Sequence, residues 1–517
     1  MTRKLPATCG VAVIGGGMAG MATAARLQAR GLSTVVLERH TTPGGCAGFW
    51  RHKGFSFDVG ATTLVDFAPG GVGAELLTSV GLPPVQGEAL PGYVAWLPDR
   101  VVTLHRDPEA WHRERLRAFG DSQAHRAFWA FLDHLALTFW EASRAGVRLP
   151  LRGLRDVVHD LDALGPRNLP LARHLGASLG DALRRFGLRH DAPLVGLLSM
   201  LTEDTVHNVV DRAPLINAAL GITIRGAGLT RARGGMRGFW RCFVERYREL
   251  GGELCVGCGA ERVHGRAGAF RVETTRGILR AAQVVSAIPA GAAVRLAPAP
   301  LADRLAPYLR RDVGAVGGAV VVFLGVPQDE VDGHAFTHHQ LLQDYAAPLG
   351  NGNNMFVSVS APDDTDSAPP GHRAVMLSTH CELEDWEGLD PAGYQARKHA
   401  IGARLVRLAR RVYPRLGERA VVREVGTPRT YERFAGRPRG AVGGVRLELG
   451  NANQRAIPHN LGVAGFWLAG DTTWPGLGTV ACVIGSRIVA DGVLLEARKL
   501  AHAHGRRSHG RRTPAHA

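Results

Sequence analysis

The chain has 517 residues, 45% of them hydrophobic and 21% charged. That length exceeds one simple core and predicts two or three domains, while the composition excludes wholesale disorder and fibrous repeats. The formal charge is +16, and of the 62 basic residues only Lys4, Lys53, Lys398 and Lys499 are lysine. Such a balance suits nucleic acid, an anionic membrane or an anionic cofactor.

At the start, Arg3 and Lys4 precede an apolar run, and Ala22-Thr23-Ala24 follows it. This imitates a secretory leader, but three glycines interrupt it at Gly15–Gly17. A strand–turn–helix explains the segment better. Val11–Ile14 is a short buried-strand run, followed by Gly15-Gly16-Gly17-Met18-Ala19-Gly20, which fits G-x-G-x-x-G. An Ala-rich helix is predicted over about Met18–Arg30, then a second strand, Thr34–Leu37, ending in Glu38. Glycines let the backbone approach a pyrophosphate at the positive end of the helix, and Glu38 can accept hydrogen bonds from a ribose. The unit predicts a dinucleotide site. A second glycine turn, Gly44-Gly45-Cys46-Ala47-Gly48, follows six residues past the acid.

About 106–220 is helix-like. Within it, Phe128, Phe131, Leu132, Leu135 and Phe139 share one helical face, and Trp129, Ala136 and Trp140 form a second apolar strip. Such a helix is either ordinary core or lies at a lipid interface. Arg225, Arg231, Arg233, Arg237 and Arg241 come next, with glycines between them. They form a solvated basic face, or they serve a pyrophosphate or an anionic lipid surface. Leu254–Val256, Arg271–Thr275 and Gln283–Ile288 read as strands. Gly314–Gly318 precedes the strand-like Ala319–Leu324 instead of following it, so no second nucleotide unit is present. A helix is predicted over Gln395–Tyr413.

Near the end, an apolar strand closes on Gly470-Asp471, and Gly478-Thr479 opens a long helix. An acid there suits the ribityl chain of a flavin, or caps the helix. The helix dipole would favour a reduced flavin. Together with the first unit this selects FAD. The segment 499–517 is basic and His-bearing, and disorder is expected there. Seven cysteines, an odd number, exclude a disulfide framework and suit a reducing compartment. Cys255 and Cys258 have metal-site spacing but no partner pair. No apolar stretch is long enough for a transmembrane helix. HExxH, P-loop and GxSxG motifs are absent, as are nucleic-acid modules.

These motifs resemble the FAD-dependent carotenoid desaturases and isomerases, phytoene desaturase-like members of the amine oxidase superfamily. Gly44–Gly48, Gly54–Thr62, Gly234–Met236, Phe356–Ser360, Thr427–Thr430 and Gly470–Gly485 carry the similarity. Phe356–Ser360 and Thr427–Thr430 are similar to the bacterial carotenoid 3′,4′-desaturases. The resemblance implies an α/β fold, a Rossmann-like FAD-binding domain with a discontinuous second, substrate-binding domain. The expected bounds are 1–105, 226–292 and 460–498 for the first, and 106–225 and 293–459 for the second. Expected cofactor contacts are Gly15, Gly17, Met18, Ala19, Gly20, Glu38, Arg39, Gly44, Gly45, Cys46, Asp58, Gly60, Ala61, Thr62, Gly235, Met236, Val263, Gly470, Asp471, Gly478 and Thr479. Cys46 departs from the arginine that many superfamily members carry there, so Arg51 or the helix dipole must hold the pyrophosphate.

The implied reaction is desaturation of an acyclic carotenoid by hydride transfer to FAD, with oxygen or a membrane quinone as acceptor. The alternatives are carotenoid isomerisation or retinoid saturation with reduced FAD, amine oxidation, and a non-catalytic lipid escort. Glu203, His207, His338 and His339 are candidate bases only by lying in substrate segments; otherwise they are structural. The expected setting is cytoplasmic, peripheral on the inner face of the cell membrane through an anionic surface, with no nucleic acid and no metal.

Overall fold

The computed structural model describes residues 4–509. Its first sheet has a parallel heart. The strands run Glu253–Val256, Thr34–Glu38, Thr8–Ile14, Gly277–Ser286, Phe466–Leu468, each parallel to its neighbour. Buried on both faces, these strands are apolar runs without alternation. Val13, Val36 and Val285 pack on one side with helices Met18–Ala29 and Thr479–His509. Ala12, Val35 and Val284 pack on the other with helix Ala299–Arg311. The strands Ala260–Arg266 and Ala269–Thr274 extend the sheet as an antiparallel hairpin.

A second sheet orders Val422–Gly426, Gly318–Pro327, His372–Cys381, Asn354–Val359, His338–Leu342, Gly92–Trp96 and Val101–His105. Its strand alternation sorts two faces. Val320, Val322 and Leu324 pack under helix Pro391–Ala409. Ala319, Val321 and Phe323 turn to the opposite side with Phe55 and Phe57. Ala319 and Val321 on that side border the same crevice as Gly15 and Gly17, which follow the first strand of the first sheet. Helices spanning Pro108–Ala227 form a third cluster, centred on Phe128, Trp129, Leu132 and Leu135. Helix Gln123–Ala145 is therefore core on both of its apolar strips, with Leu137 left exposed.

Several expected boundaries move. Gly92–Trp96 pairs in parallel with His338–Leu342 and antiparallel with Val101–His105, so residues 92–105 belong to the second sheet, although they fall in the segment expected in the first domain. Ala299–Arg311 packs with the first sheet through Leu301 and Leu305, although it falls in the expected substrate segment. The last helix continues through 499 to His509, where a disordered tail was expected; residues 510–517 lie outside the described residues. Among the described residues, no helix is long and apolar enough to cross a membrane. Cys255 and Cys258 are buried and form no disulfide, and no metal-holding cluster occurs among the described residues.

Candidate active site

The crevice lies beyond the carboxyl ends of the parallel strands, where open α/β sheets bind their ligands. A cavity of about 380 Å³ fills it. Gly15, Gly17, Met18, Ala19 and Glu38 of the first unit line it, with Gly44, Gly45 and Cys46 of the second glycine turn. Gly60 and Ala61 join them, as do Gly470, Asp471, Gly478 and Thr479 from the end of the chain. Fourteen expected contacts thus converge on one space.

Local chemistry explains the convergence. Helix Met18–Ala29 starts at Gly17 without a side-chain cap, so its first N–H groups remain available. The Gly16 N–H donates to Glu38 Oε2 at 2.7 Å, and the His40 N–H to Oε1 at 2.7 Å. These bonds hold the carboxylate at the crevice edge, although burial pushes its pKa up. Gly44 pairs with Gly17, and its N–H donates to the Gly16 carbonyl at 2.9 Å, so the two glycine turns are docked on each other. Trp240 Nε1 donates to the Ala47 carbonyl at 2.7 Å and fixes the second turn from below.

The cradle fits a dinucleotide. A Cβ on Gly17 would meet only the Gly44 carbonyl at 3.9 Å, and one on Gly478 would meet nothing within 4 Å. Both positions open into the cavity. Two helix N-termini, at Met18 and Thr479, face the same space and favour an anionic group there.

Seven expected contacts stand off the cavity. Gly20 is a packing glycine: a Cβ there would fall 2.0 Å from the Gly15 carbonyl. Arg39 is exposed, next to Gly436. Val263 is in the hairpin, enclosed with Phe270 and Val272. Asp58, Gly235 and Met236 form an internal strut. Asp58 accepts from the Met236 N–H at 2.7 Å and pairs with Arg231 at 3.1 Å, so its carboxylate is consumed by a helix N-terminus and a buried guanidinium. Gly235 is there because a Cβ would strike Asp58 Oδ1 at 2.5 Å. Thr62 is tied to His338 at 3.3 Å.

The arginine expected to replace the missing one is also different. Arg51 is exposed on strand Phe49–His52. Arg437 occupies the cavity wall instead. It pairs with Asp471 at 2.8 Å, and that carboxylate keeps its guanidinium protonated despite burial. The other arginines divide. Arg225 and Arg231 are buried, while Arg233, Arg237 and Arg241 gather around Asp366 at 3.9 to 4.0 Å.

Of the candidate bases, His338 and His339 do not border the cavity. His338 bonds Thr62, Thr337 and Ser358, and His339 bonds Tyr413 and Trp96. Burial lowers the pKa of each. His207 does line the cavity, at φ 56°, and burial drives it well below the ordinary histidine range. Its ring lies 4.7 Å from His380, whose Nδ1 is 3.6 Å from Glu203 Oε1. Tyr93, Asp204, Gln340, Phe356, His380, Tyr431 and Arg437 complete the wall. Sequence reasoning missed them as site residues; Phe356 opens one of the motifs that carry the resemblance, and the others come from distant segments without a local motif.

A second cavity of about 410 Å³ adjoins the first and is mostly apolar. Phe139, Trp140, Leu161, Leu164, Ile216 and Leu220 line it. Ala61, Asp204, Ile224, Leu477 and Gly478 border both spaces. Near the outer side, Leu154 and Val158 are 84% and 66% exposed. Arg152, Arg155, Arg167 and Arg173 are exposed nearby in sequence.

Comparison with known proteins agrees with this geometry. The model of an NAD(P)-binding Rossmann-like domain matches residues 13–79. The chloroplastic prolycopene isomerase of Arabidopsis thaliana is 24% identical over 490 residues, 91% of this chain and 80% of that protein. The lycopene-forming phytoene desaturase of Pseudescherichia vulneris is 52% identical over 54 residues, 10% of this chain and 11% of that protein. In structure, putrescine oxidase with bound putrescine aligns over 95% of this chain and 100% of its own, at TM-score 0.61 and 16% identity. Cyclohexylamine oxidase from Brevibacterium oxydans aligns over 95% and 99%, at TM-score 0.57 and 16% identity. The fold is similar to that of these amine oxidases, and in sequence the chain is similar over most of its length to prolycopene isomerases and over a short segment to phytoene desaturases.

Proposed function

We propose that the protein is an FAD-dependent oxidoreductase that desaturates a long hydrophobic isoprenoid, an acyclic carotenoid. The observation that carries this reading is the junction of two unlike cavities. One has the glycine turns, Glu38 and two helix N-termini of a dinucleotide site; the other is a mostly apolar space beside it.

The residues fit FAD. Glu38 would hold the adenosine ribose. The N–H groups at Gly17–Ala19 would hold the pyrophosphate, with Arg437 as a further positive charge. Asp471 and the helix start at Thr479 would face the ribityl chain and ring. Bound FAD supplies a two-electron acceptor for hydride. The chain's own groups bind, orient and exclude water. Leu161, Leu164 and Leu220 favour a hydrocarbon over water, at about 0.8 kcal/mol per buried CH₂. Oxygen or a quinone would be the terminal electron acceptor.

Leu154 and Val158, with the arginines near them, support docking on an anionic bilayer from which the substrate is drawn. This gives a setting at the inner face of the cell membrane. A second reading is carotenoid isomerisation. It is favoured by one observation: the match covering 91% of the chain is to prolycopene isomerases, whereas the desaturase match is short. Mass and spectrum of the pigment formed by the FAD-loaded protein separate the readings. Loss of hydrogen supports desaturation, unchanged mass with a changed spectrum supports isomerisation, and no change of either defeats both.

A further inference from the structure

The wall between the two cavities contains one carboxylate among the described residues that border both, Asp204. It stands on the last turn of helix Ala192–Val206. One of its oxygens is engaged, since the Gln340 side-chain amide donates to Oδ2. Among the described residues, Oδ1 meets no hydrogen-bond donor. The carboxylate therefore has one anchored oxygen and one free to meet a ligand at the meeting point of the two spaces. A polyene reaching from the apolar cavity toward the crevice must pass this point.

The surrounding charges are few and opposed. Arg225 is buried, with its guanidinium 5.6 Å over the Tyr93 ring and donating to the Ile222 carbonyl at 2.6 Å. His380 and Arg225 draw Asp204 toward ionisation, and neighbouring Glu203 opposes it. Asp160, another carboxylate on the apolar cavity, borders only that cavity and accepts from the Arg148 N–H at 2.9 Å. His207 lacks a resident partner for Nδ1, but burial drives its pKa well below the ordinary histidine range, which makes it a weak base, and it touches only the crevice.

We propose that Asp204 is the proton acceptor of the reaction, taking through Oδ1 the proton lost from the substrate carbon beside the one that yields hydride. The inference rests on the desaturase reading above. The balance is complete. Two C–H bonds break. One hydrogen leaves as hydride with its electron pair, reducing oxidised FAD. The other leaves as a proton to Asp204, and the electron pair of its bond becomes the new π bond. The substrate loses two electrons and the flavin gains them. Asp204 returns its proton to water before the next turnover. Burial supports the role, because it pushes the Asp204 pKa up to about 6, close to the pH at which a general base works.

The test uses the full-length, FAD-loaded protein and two variants. Asp204→Asn is expected to keep flavin content and to bind lycopene-type polyenes, read by quenching of flavin fluorescence, while turnover falls about 10²- to 10⁴-fold. In the wild type, turnover rises with pH through about 6, because the acceptor must be ionised; that limb disappears in Asp204→Asn. Asp204→Glu restores part of the rate. A readout without substrate accompanies this. In infrared spectra protonated carboxyl absorption is lost as pH rises through about 6; burial pushes Asp160 up to about 6 as well, so the Asp204 band is the component present in wild type and missing in Asp204→Asn. An Asp204→Asn enzyme that turns over at the wild-type rate with the same pH profile overturns this inference alone, as does persistence of the band. A wild-type enzyme that converts no carotenoid removes the substrate reading, and the acceptor with it.

Discussion

Arg437 and Asp471 meet at 2.8 Å on the crevice wall, their side chains 10% and 17% exposed. One belongs to the loop after helix Pro428–Ala435, the other to the turn after strand Phe466–Leu468. The pair joins the second excursion of the chain to the nucleotide-binding sheet. Cys46 adjoins it, at the position where an arginine was expected. The positive charge is present in the crevice; it arrives from almost four hundred residues further along the chain.

Removing Arg437 leaves Asp471, a partly exposed carboxylate on the crevice wall, without its partner. Losing one member of a fully buried pair costs about 3–5 kcal/mol, and partial exposure lowers that cost. Arg437→Met is expected to lower both Tm and the flavin retained after purification. Flavin content equal to wild type would show that Arg437 has no part in holding the cofactor.

The two central glycines of the first turn separate cofactor binding from folding. Gly17 has φ −76°, so alanine fits its backbone, and its Cβ would project into the cavity. Gly17→Ala is expected to keep the circular dichroism and Tm of the apoprotein while losing flavin affinity at least tenfold, about 1.4 kcal/mol. Gly20→Ala places a Cβ 2.0 Å from a carbonyl, so it must move the helix from the strand and lower Tm. If Gly17→Ala binds flavin normally, the cradle is placed wrongly.

Acid should destabilise the protein through its buried histidines. Burial lowers the His459 pKa to about 4, and Nδ1 is tied to the Leu468 carbonyl at 3.0 Å. The unfolded value is about 6.5. A depressed histidine contributes stability above 6.5 that is lost as pH falls toward about 4. At pH 5 the loss from this one group is about 2 kcal/mol. His338 and His207 act in the same direction. Urea titrations at pH 7 and pH 5 are expected to show a smaller difference for His459→Asn than for wild type. An equal difference would contradict the assignment.

The exposed apolar positions beside the second cavity predict membrane binding. Replacing Leu154 and Val158 with serine removes apolar surface that is 84% and 66% exposed and supports no core. Tm should stay within about 1 kcal/mol equivalent of wild type, while sedimentation with anionic vesicles drops severalfold. Wild-type binding should also weaken as salt rises. Unchanged sedimentation of the double variant would place the contact elsewhere.

The first strand, glycine turn, helix and Glu38 were legible because one continuous stretch builds the whole unit. The Gly470-Asp471 end was legible for the same reason. Asp58 and Met236 were named because they belong to stretches that carry the family resemblance, yet they stand off the crevice, their polar groups spent on each other and on Arg231. Arg51 misled because nearness along the chain to Cys46 is not nearness in space; an antiparallel hairpin carries it to the surface. Asp204, Gln340 and Arg437 carry no local signal. Only the packing of the second sheet and the helical cluster onto the crevice brings them together. Residues 92–105 fall inside the 1–105 segment expected in the first domain, yet their strands Gly92–Trp96 and Val101–His105 join the second sheet, because strand pairing over more than two hundred residues leaves no mark in either segment.

The most direct test of the flavin-dependent desaturase account is the mass of the pigment produced when FAD-loaded protein meets an acyclic carotenoid in anionic vesicles with oxygen or a quinone present. The account predicts loss of one pair of hydrogens per newly formed double bond, together with absorption at longer wavelength. A pigment of unchanged mass would contradict it.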